Sequence, residues 1–375
     1  MAGKIRVRLY NILLGDAILV TIPSTPKQHI LIDVGNKQAG VGANRKLFEP
    51  IFKNIIKELG GRPLDLYIST HEHMDHVMGL RHAAEKLKID VKKALKPRYV
   101  WMTGSAHPTY YDTHEEADKQ KKLAMKALDQ AVAFYANAGA MPPFIQTLLD
   151  LNSLSETAAC VDFMRNLSDK TYYVSRGMRL TGKHALKDVK ISIWAPEEDT
   201  SVYYGRFQPL ALRDGDGSAA AMAADLVPPP GVDAGAFYNL VQMRNNIGDT
   251  LLQIDKAANN TSIVFCLEWN GKKLLFSGDA EERSWKEMNR QGVLEPVDFL
   301  KISHHGSHNG TPDVEILDKI LPLGVKKKRY AAISTCTGSY PGMPDEDTLG
   351  EIAKRATIFS TEKDSEPGKW VDVPV

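Results

Sequence analysis

Cysteine is scarce in this chain. Cys160, Cys266 and Cys336 are three thiols in 375 residues, odd in number, far apart and without a CxxC pair. That pattern excludes a disulfide framework and a cysteine-ligated zinc site as organising devices. Charge of one sign is lacking too, since 47 Lys and Arg against 46 Asp and Glu leave a net charge of +1. No global field therefore points to nucleic acid or to an anionic membrane surface. Nor does any apolar run approach the roughly 20 residues that a membrane helix needs. The opening stretch MAGKIRVRLYNILLGDAILV alternates Ile5, Val7 and Leu9 with polar neighbours and meets Asp16 early, a strand pattern and not a signal-peptide core. A cytoplasmic protein without membrane contact is expected.

What is present is a set of apolar strands that end in polar clusters. HILIDVGN (29–36) ends at Asp33 and Gly35, LDLYIST (64–70) runs into His71, and KKLLFSGDA (272–280) reaches Asp279. VDFLKIS (297–303) runs into His304, and RYAAIST (329–335) completes the set. Helical patterns follow several of them, such as 77–88 and 281–290. Strands that alternate with helices and carry chemistry at their carboxyl ends predict a layered α/β fold whose strand tips converge on one site. From about 105 to 250 the pattern changes to helices near 114–137 and 143–167, then an Ala/Gly/Pro-rich passage over 215–237. This region is read as a largely helical insertion or cap within a single domain spanning 1–375.

The densest chemistry lies in YISTHEHMDHVMGL, which holds His71, His73, Asp75 and His76. His71 and His73 are two apart at a strand end, so both can face one side. Neutral imidazoles beside carboxylates suit zinc-like or manganese-like ions. The plainer reading, Asp75 as a helix cap among solvated histidines, would serve for one histidine but not for this crowding. Asp279 is a strand-end carboxylate able to bridge two cations, or a cap for the helix at 281–290. SHHGSHNG adds His304, His305 and His308, so six of the chain's 11 histidines fall in these two clusters. Asp33 reads as a carboxylate behind the ligands, orienting one of them. The run KKKR (326–329) reads as a solvated turn before a strand.

Together HxHxDH, a downstream GD and a later HHG resemble the metallo-β-lactamase fold, a four-layer αβ/βα sandwich with a binuclear metal site. The segments GDAILVTIPS…ILIDVGN, NNTSIVFCLEWNGKKLLFSGDAEE, VDFLKISHHGSHNGT and AAISTCTGSYPGMPDEDTL resemble, in order, those of the ComEC/Rec2-type competence proteins. The likeness covers roughly 5–104 and 255–372. It implies two divalent ions, Zn2+ or Mn2+, with His71 and His73 on one and Asp75 and His76 on the other. Asp279 would bridge them, His304 would join the second ion, and His305 would stand beside the reacting group as proton donor. Asp75 would also orient the water.

Two features depart from the pattern. The superfamily has a further histidine ligand between HxHxDH and GD; His107, His114 and His184 lie in that interval, none at a convincing strand end. The competence subgroup often lacks that ligand. It usually reads YGHP where this chain has YPGMP (340–344). The resemblance implies a metal-dependent hydrolase using a hydroxide activated by two ions, on a phosphodiester that is a small molecule or a nucleic acid. The alternatives are hydrolysis of a carbonyl ester, thioester, lactone or β-lactam, or a metal-stabilised binding module without catalysis.

Overall fold

Short strands with apolar residues on both faces decide the layering. Along LYIS, Leu66 and Ile68 enter one buried cluster while Tyr67 enters another. Along VFCLEW, Phe265 and Leu267 face one way, Val264 and Cys266 the other. Such strands are covered on both sides, which is why they read as continuous apolar runs. A computed structural model describes residues 3–36, 41–138, 141–152, 154–204, 228, 230–235, 237, 247–339 and 342–375. It divides into two units: Met1–His107, Leu154–Glu198 and Asn259–Val375 form the first, Pro108–Ser153 and Asp199–Ala258 the second.

The strands in chain order are β1 (Arg6–Tyr10), β2 (Ala17–Ile22), β3 (Gln28–Val34), β4 (Leu66–Ser69), β5 (Val100–Thr103), β6 (Thr171–Val174) and β7 (Lys190–Ala195). They continue with β8 (Val264–Trp269), β9 (Lys272–Phe276), β10 (Phe299–Lys301), β11 (Tyr330–Ile333), β12 (Thr357–Ser360) and β13 (Trp370–Pro374). One sheet has the order β13-β1-β2-β3-β4-β5-β6 and the other β12-β11-β10-β9-β8-β7. Pairing is parallel from β3 to β6 and from β9 to β12, and antiparallel elsewhere.

Three apolar layers hold the first unit together. Ile18, Ile30, Ile68 and Trp101 of one sheet meet Phe265, Phe276 and Phe299 of the other in the middle. Outside the first sheet, Leu31, Tyr67 and Met102 pack under Phe48, Phe52, Val77, Leu80 and Met164 from the helices Val41–Leu59, Met74–Glu85 and Leu154–Arg165. Outside the second, Leu275, Leu300 and Ala331 pack under Trp285, Ile316 and Ile352 from Glu282–Arg290, Val314–Ile320 and Glu346–Ala353. This is the four-layer αβ/βα sandwich of the metallo-β-lactamase type.

The stretch 105–250 divides between the units. Glu115–Ala138, Pro143–Leu151 and Ile247–Asn260 are helical, and Tyr110 Oη accepts from the Thr200 N–H at 2.8 Å within the second unit. But Leu154–Arg165, β6 and β7 belong to the first unit, so the insertion is narrower than the sequence reading drew it. The helix expected near 143–167 ends at Leu151, and a second begins at Leu154 and buries Cys160, Val161 and Met164 against the first sheet. Most of the passage 215–237 lies outside the described residues.

Candidate metal centre

His71 follows β4, and the helix Met74–Glu85 begins three residues later, one turn earlier than the periodicity predicts. Asp75 and His76 are therefore in its first turn, with the His76 N–H donating to the His73 carbonyl at 3.0 Å. Glycine makes this turn possible. A Cβ on Gly35 would lie 2.4 Å from the Asp75 carbonyl carbon and the His76 nitrogen, and one on Gly15 2.5 Å from the Asp75 oxygen. The backbone of the histidine motif thus rests directly on the loops at GD (15–16) and at VGN (34–36).

From the second sheet come Asp279, after β9, and the HHG turn, after β10. Asp279 does not cap the following helix, which begins at Glu282 with Glu281 as its N-cap. Its N–H donates to Ser262 Oγ at 3.0 Å, and its carboxylate faces the histidines. Asp279 Oδ2 is 3.1 Å from His76 Nε2 and 3.4 Å from His305 Nε2. Asp75 Oδ2 lies 3.2 Å from His305 Nε2. Donor atoms of Asp75, His76, Asp279 and His305 all fall within 4.8 Å of one another, and all four residues are buried. His71 adjoins this group, its ring centroid 4.2 Å from that of His76 and 4.8 Å from that of His73.

His304 and His305 are disposed otherwise than the sequence suggests. Neither is extended: φ is 44° at His304 and 50° at His305, both left-handed. The turn buries His305, fixes its Nδ1 at 3.0 Å from the Ser334 carbonyl and aims its Nε2 at the two aspartates. His304, expected on the ion, has Nδ1 at 3.2 Å from Glu281 Oε1 and 2.9 Å from Ser307 Oγ, with part of its ring exposed. His308 is largely exposed, 3.8 Å from Asp345.

The carboxylates and imidazoles of the cluster stabilise one another's charge. Burial alone would raise the carboxyls of Asp75 and Asp279, yet the His76 and His305 imidazoles hold both below the usual carboxylate range. In return, against a burial that favours neutrality, the carboxylates Asp279, Asp75 and Asp33 raise His76, and Asp279 and Asp75 raise His305. His71, buried and next to His76 and His73, is pushed well down and stays neutral, with a lone pair to give. Asp33 accepts from the Thr70 N–H at 2.8 Å and Thr70 Oγ1 at 2.6 Å, and faces His76 Nδ1 at 2.9 Å. It thus stands on the far side of the His76 ring from Asp279.

Three buried atoms, His71 Nε2, Asp75 Oδ1 and Asp279 Oδ1, have no hydrogen-bond partner among the described residues. Buried polar groups are nearly always satisfied, so three unsatisfied donor-set atoms in one cluster fit divalent cations. The three histidines of the interval have aromatic neighbours of their own. His107 packs on Tyr173, His184 on Trp101, and His114, in the second unit, stacks on Tyr110 at 4.0 Å. Tyr340 and Pro341 of YPGMP lie outside the described residues, and Met343 is buried. In KKKR, Lys327 pairs with Asp298 and Lys328 lies over Tyr330.

Sequence reading missed Asp16 and Lys301, a buried ion pair at 2.7 Å beside the cluster. The signal for the lysine was a charged residue inside the apolar run VDFLKIS.

A buried histidine–aspartate cluster, a candidate metal site, thus lies where strand tips from both sheets of the α/β sandwich meet. Residues 11–118 match the Metallo-beta-lactamase superfamily. No curated protein matches the chain. Among the described residues no helix is long and apolar enough to cross a membrane.

Proposed function

We propose that the chain is a hydrolase of phosphodiesters that works with two divalent cations, Zn2+ or Mn2+, in the manner of the ComEC/Rec2-type subgroup. The observation that carries the metal requirement is the trio of unsatisfied buried atoms on His71, Asp75 and Asp279. His71, His73, Asp75, His76, Asp279 and His305 would hold the cations. His305 takes the ligand role because a backbone carbonyl fixes its Nδ1, which commits Nε2 to the cluster. His304 is then left for the substrate. Support for a phosphodiester is the ligand set itself, which closes without His107 or His184, as in the competence subgroup.

When bound, the cation pair lowers the pKa of water and neutralises charge developing on the attacked group. The chain's residues do the rest. Asp75 would also orient the attacking water, Asp33 keeps the His76 proton on Nδ1, and His304, held by Glu281 and Ser307, delivers a proton to the leaving oxygen.

The test is turnover of bis-p-nitrophenyl phosphate against p-nitrophenyl acetate and nitrocefin, on protein loaded with Zn2+ or Mn2+ and analysed for metal. Close to two ions per chain and turnover of the phosphodiester are expected. Turnover of the acetate or nitrocefin alone would move the reading to carbonyl chemistry, and protein binding no ion at micromolar concentration would end it.

A further inference from the structure

The two halves of the cluster arrive on different sheets. His71, His73, Asp75 and His76 follow β4, whereas Asp279 and His305 follow β9 and β10. Something must set the gap between the halves to within a fraction of an ångström if both are to hold the same ions. We propose that Asp16 and Lys301 are that device, a positioning pair whose role rests on the metal-dependent reading above.

Lys301 is the last residue of β10, and its side chain is 1% exposed. Its ammonium lies 2.7 Å from Asp16 Oδ2 and donates to the Ile302 carbonyl at 3.0 Å. The Lys301 carbonyl in turn accepts from Ser277 Oγ at 2.7 Å, two residues before Asp279. Lys301 is therefore tied to the tip that carries Asp279 and to the strand that leads into His304 and His305.

Asp16, 2% exposed, is tied to the other half. Its N–H donates to the Asp75 carbonyl at 3.2 Å, and its carbonyl accepts from the Gly35 N–H at 3.1 Å. Its carboxylate belongs to a group with Asp33 and His76 whose polar atoms lie within 4.8 Å of one another. One charged contact thus joins the loop that supports Asp75 to the strand ends that carry Asp279 and His305.

A buried ion pair adds little net stability over an apolar pair of equal volume, because desolvation offsets the attraction. What it adds is direction, one fixed donor–acceptor distance in a low-dielectric interior. The ammonium also places a positive charge beside Asp16, whose carboxylate would otherwise stand unpaired next to that of Asp33.

The test compares full-length protein, Lys301→Met, and the double variant Asp16→Asn with Lys301→Met, which leaves no unpaired charge. Affinity for Zn2+ and Co2+ is read by chelator competition, the ligand field from the Co2+ absorption spectrum, and stability from thermal unfolding. Lys301→Met should weaken cation binding 10–100-fold and alter the Co2+ spectrum, the range usual for residues that orient ligands without touching metal. The double variant should recover the unfolding temperature but neither the affinity nor the spectrum. Recovery of all three would overturn the proposal and leave the pair a stabilising contact, as would wild-type affinity and spectrum in Lys301→Met. Should Lys301→Met not fold, the double variant decides alone. Failure of the metal reading itself shows separately, as absent binding in the unmodified protein, and it ends this role with it.

Discussion

Asp33 Oδ2 lies 2.9 Å from His76 Nδ1, and neither side chain has any exposure. With the Thr70 N–H and hydroxyl both donating to the same carboxylate, Asp33 has only acceptor positions left for the imidazole. That keeps a proton on Nδ1 and aims Nε2 at Asp279, 3.1 Å away.

Asp33→Asn keeps the shape but reverses this logic. The new amide must turn its NH2 toward Thr70 Oγ1 and His76 Nδ1, which drives the proton to Nε2, the atom a cation needs. Cation affinity should fall 10–100-fold in chelator competition, with little loss of fold. Unchanged affinity would mean that Asp33 does not set the tautomer.

Gly79 tests how closely the motif helix is laid down. A Cβ there would lie 2.6 Å from Val34 Cγ1 and the Val34 carbonyl, and 2.9 Å from Phe48 Cε1. Alanine gains up to about 1 kcal/mol of helix propensity over glycine. Overpacking against a backbone carbonyl costs about 1–3 kcal/mol or more, and here the carbonyl cannot yield. Gly79→Ala should lower the urea midpoint, and a raised midpoint would show that β3 moves to accommodate it.

Much of this was legible from the chain. HxHxDH, GD and HHG each follow an apolar strand, and strand tips on one edge of a sandwich converge. The pairing Thr171–Val174 with Val100–Thr103 was not legible, because four residues such as TYYV show no period long enough to stand out from helical surroundings. Nor was the pairing of Asp16 with Lys301, which rests on one acid and one base far apart in sequence. The exchange of roles proposed for His304 and His305 has a local reason. Alternation of neighbours holds in an extended chain, and a left-handed turn at both residues abolishes it.

His29 predicts how the fold responds to acid. Burial, helped by the positive charge of Arg62, pulls its pKa down to about 4. Its folded value is thus below the unfolded one, so the unfolded chain binds the extra proton and stability falls as pH drops from about 6.5 to about 4. The loss from this residue is at most about 3 kcal/mol. In urea titrations at pH 7 and pH 4.5, His29→Asn should lose less stability between the two than the parent does. An equal loss in both would assign the acid sensitivity elsewhere.

The HHG turn supplies the sharpest division of labour. His305 Nε2 points at Asp75 and Asp279 and is fully buried, whereas His304 is held at the edge by Glu281 and Ser307. His305→Ala should lose metal and turnover together. His304→Ala should keep its metal, since its nitrogens lie outside the group of Asp75, His76, Asp279 and His305. It should lose turnover by roughly 10²–10⁴-fold if its role is proton transfer. That loss has a signature that a structural defect would not copy. p-Nitrophenolate leaves without a proton, so the deficit should shrink on p-nitrophenyl esters and grow on alkyl leaving groups. Metal analysis of the two variants decides first. Loss of metal in His304→Ala with retention in His305→Ala would return the roles to the order that the extended chain suggests.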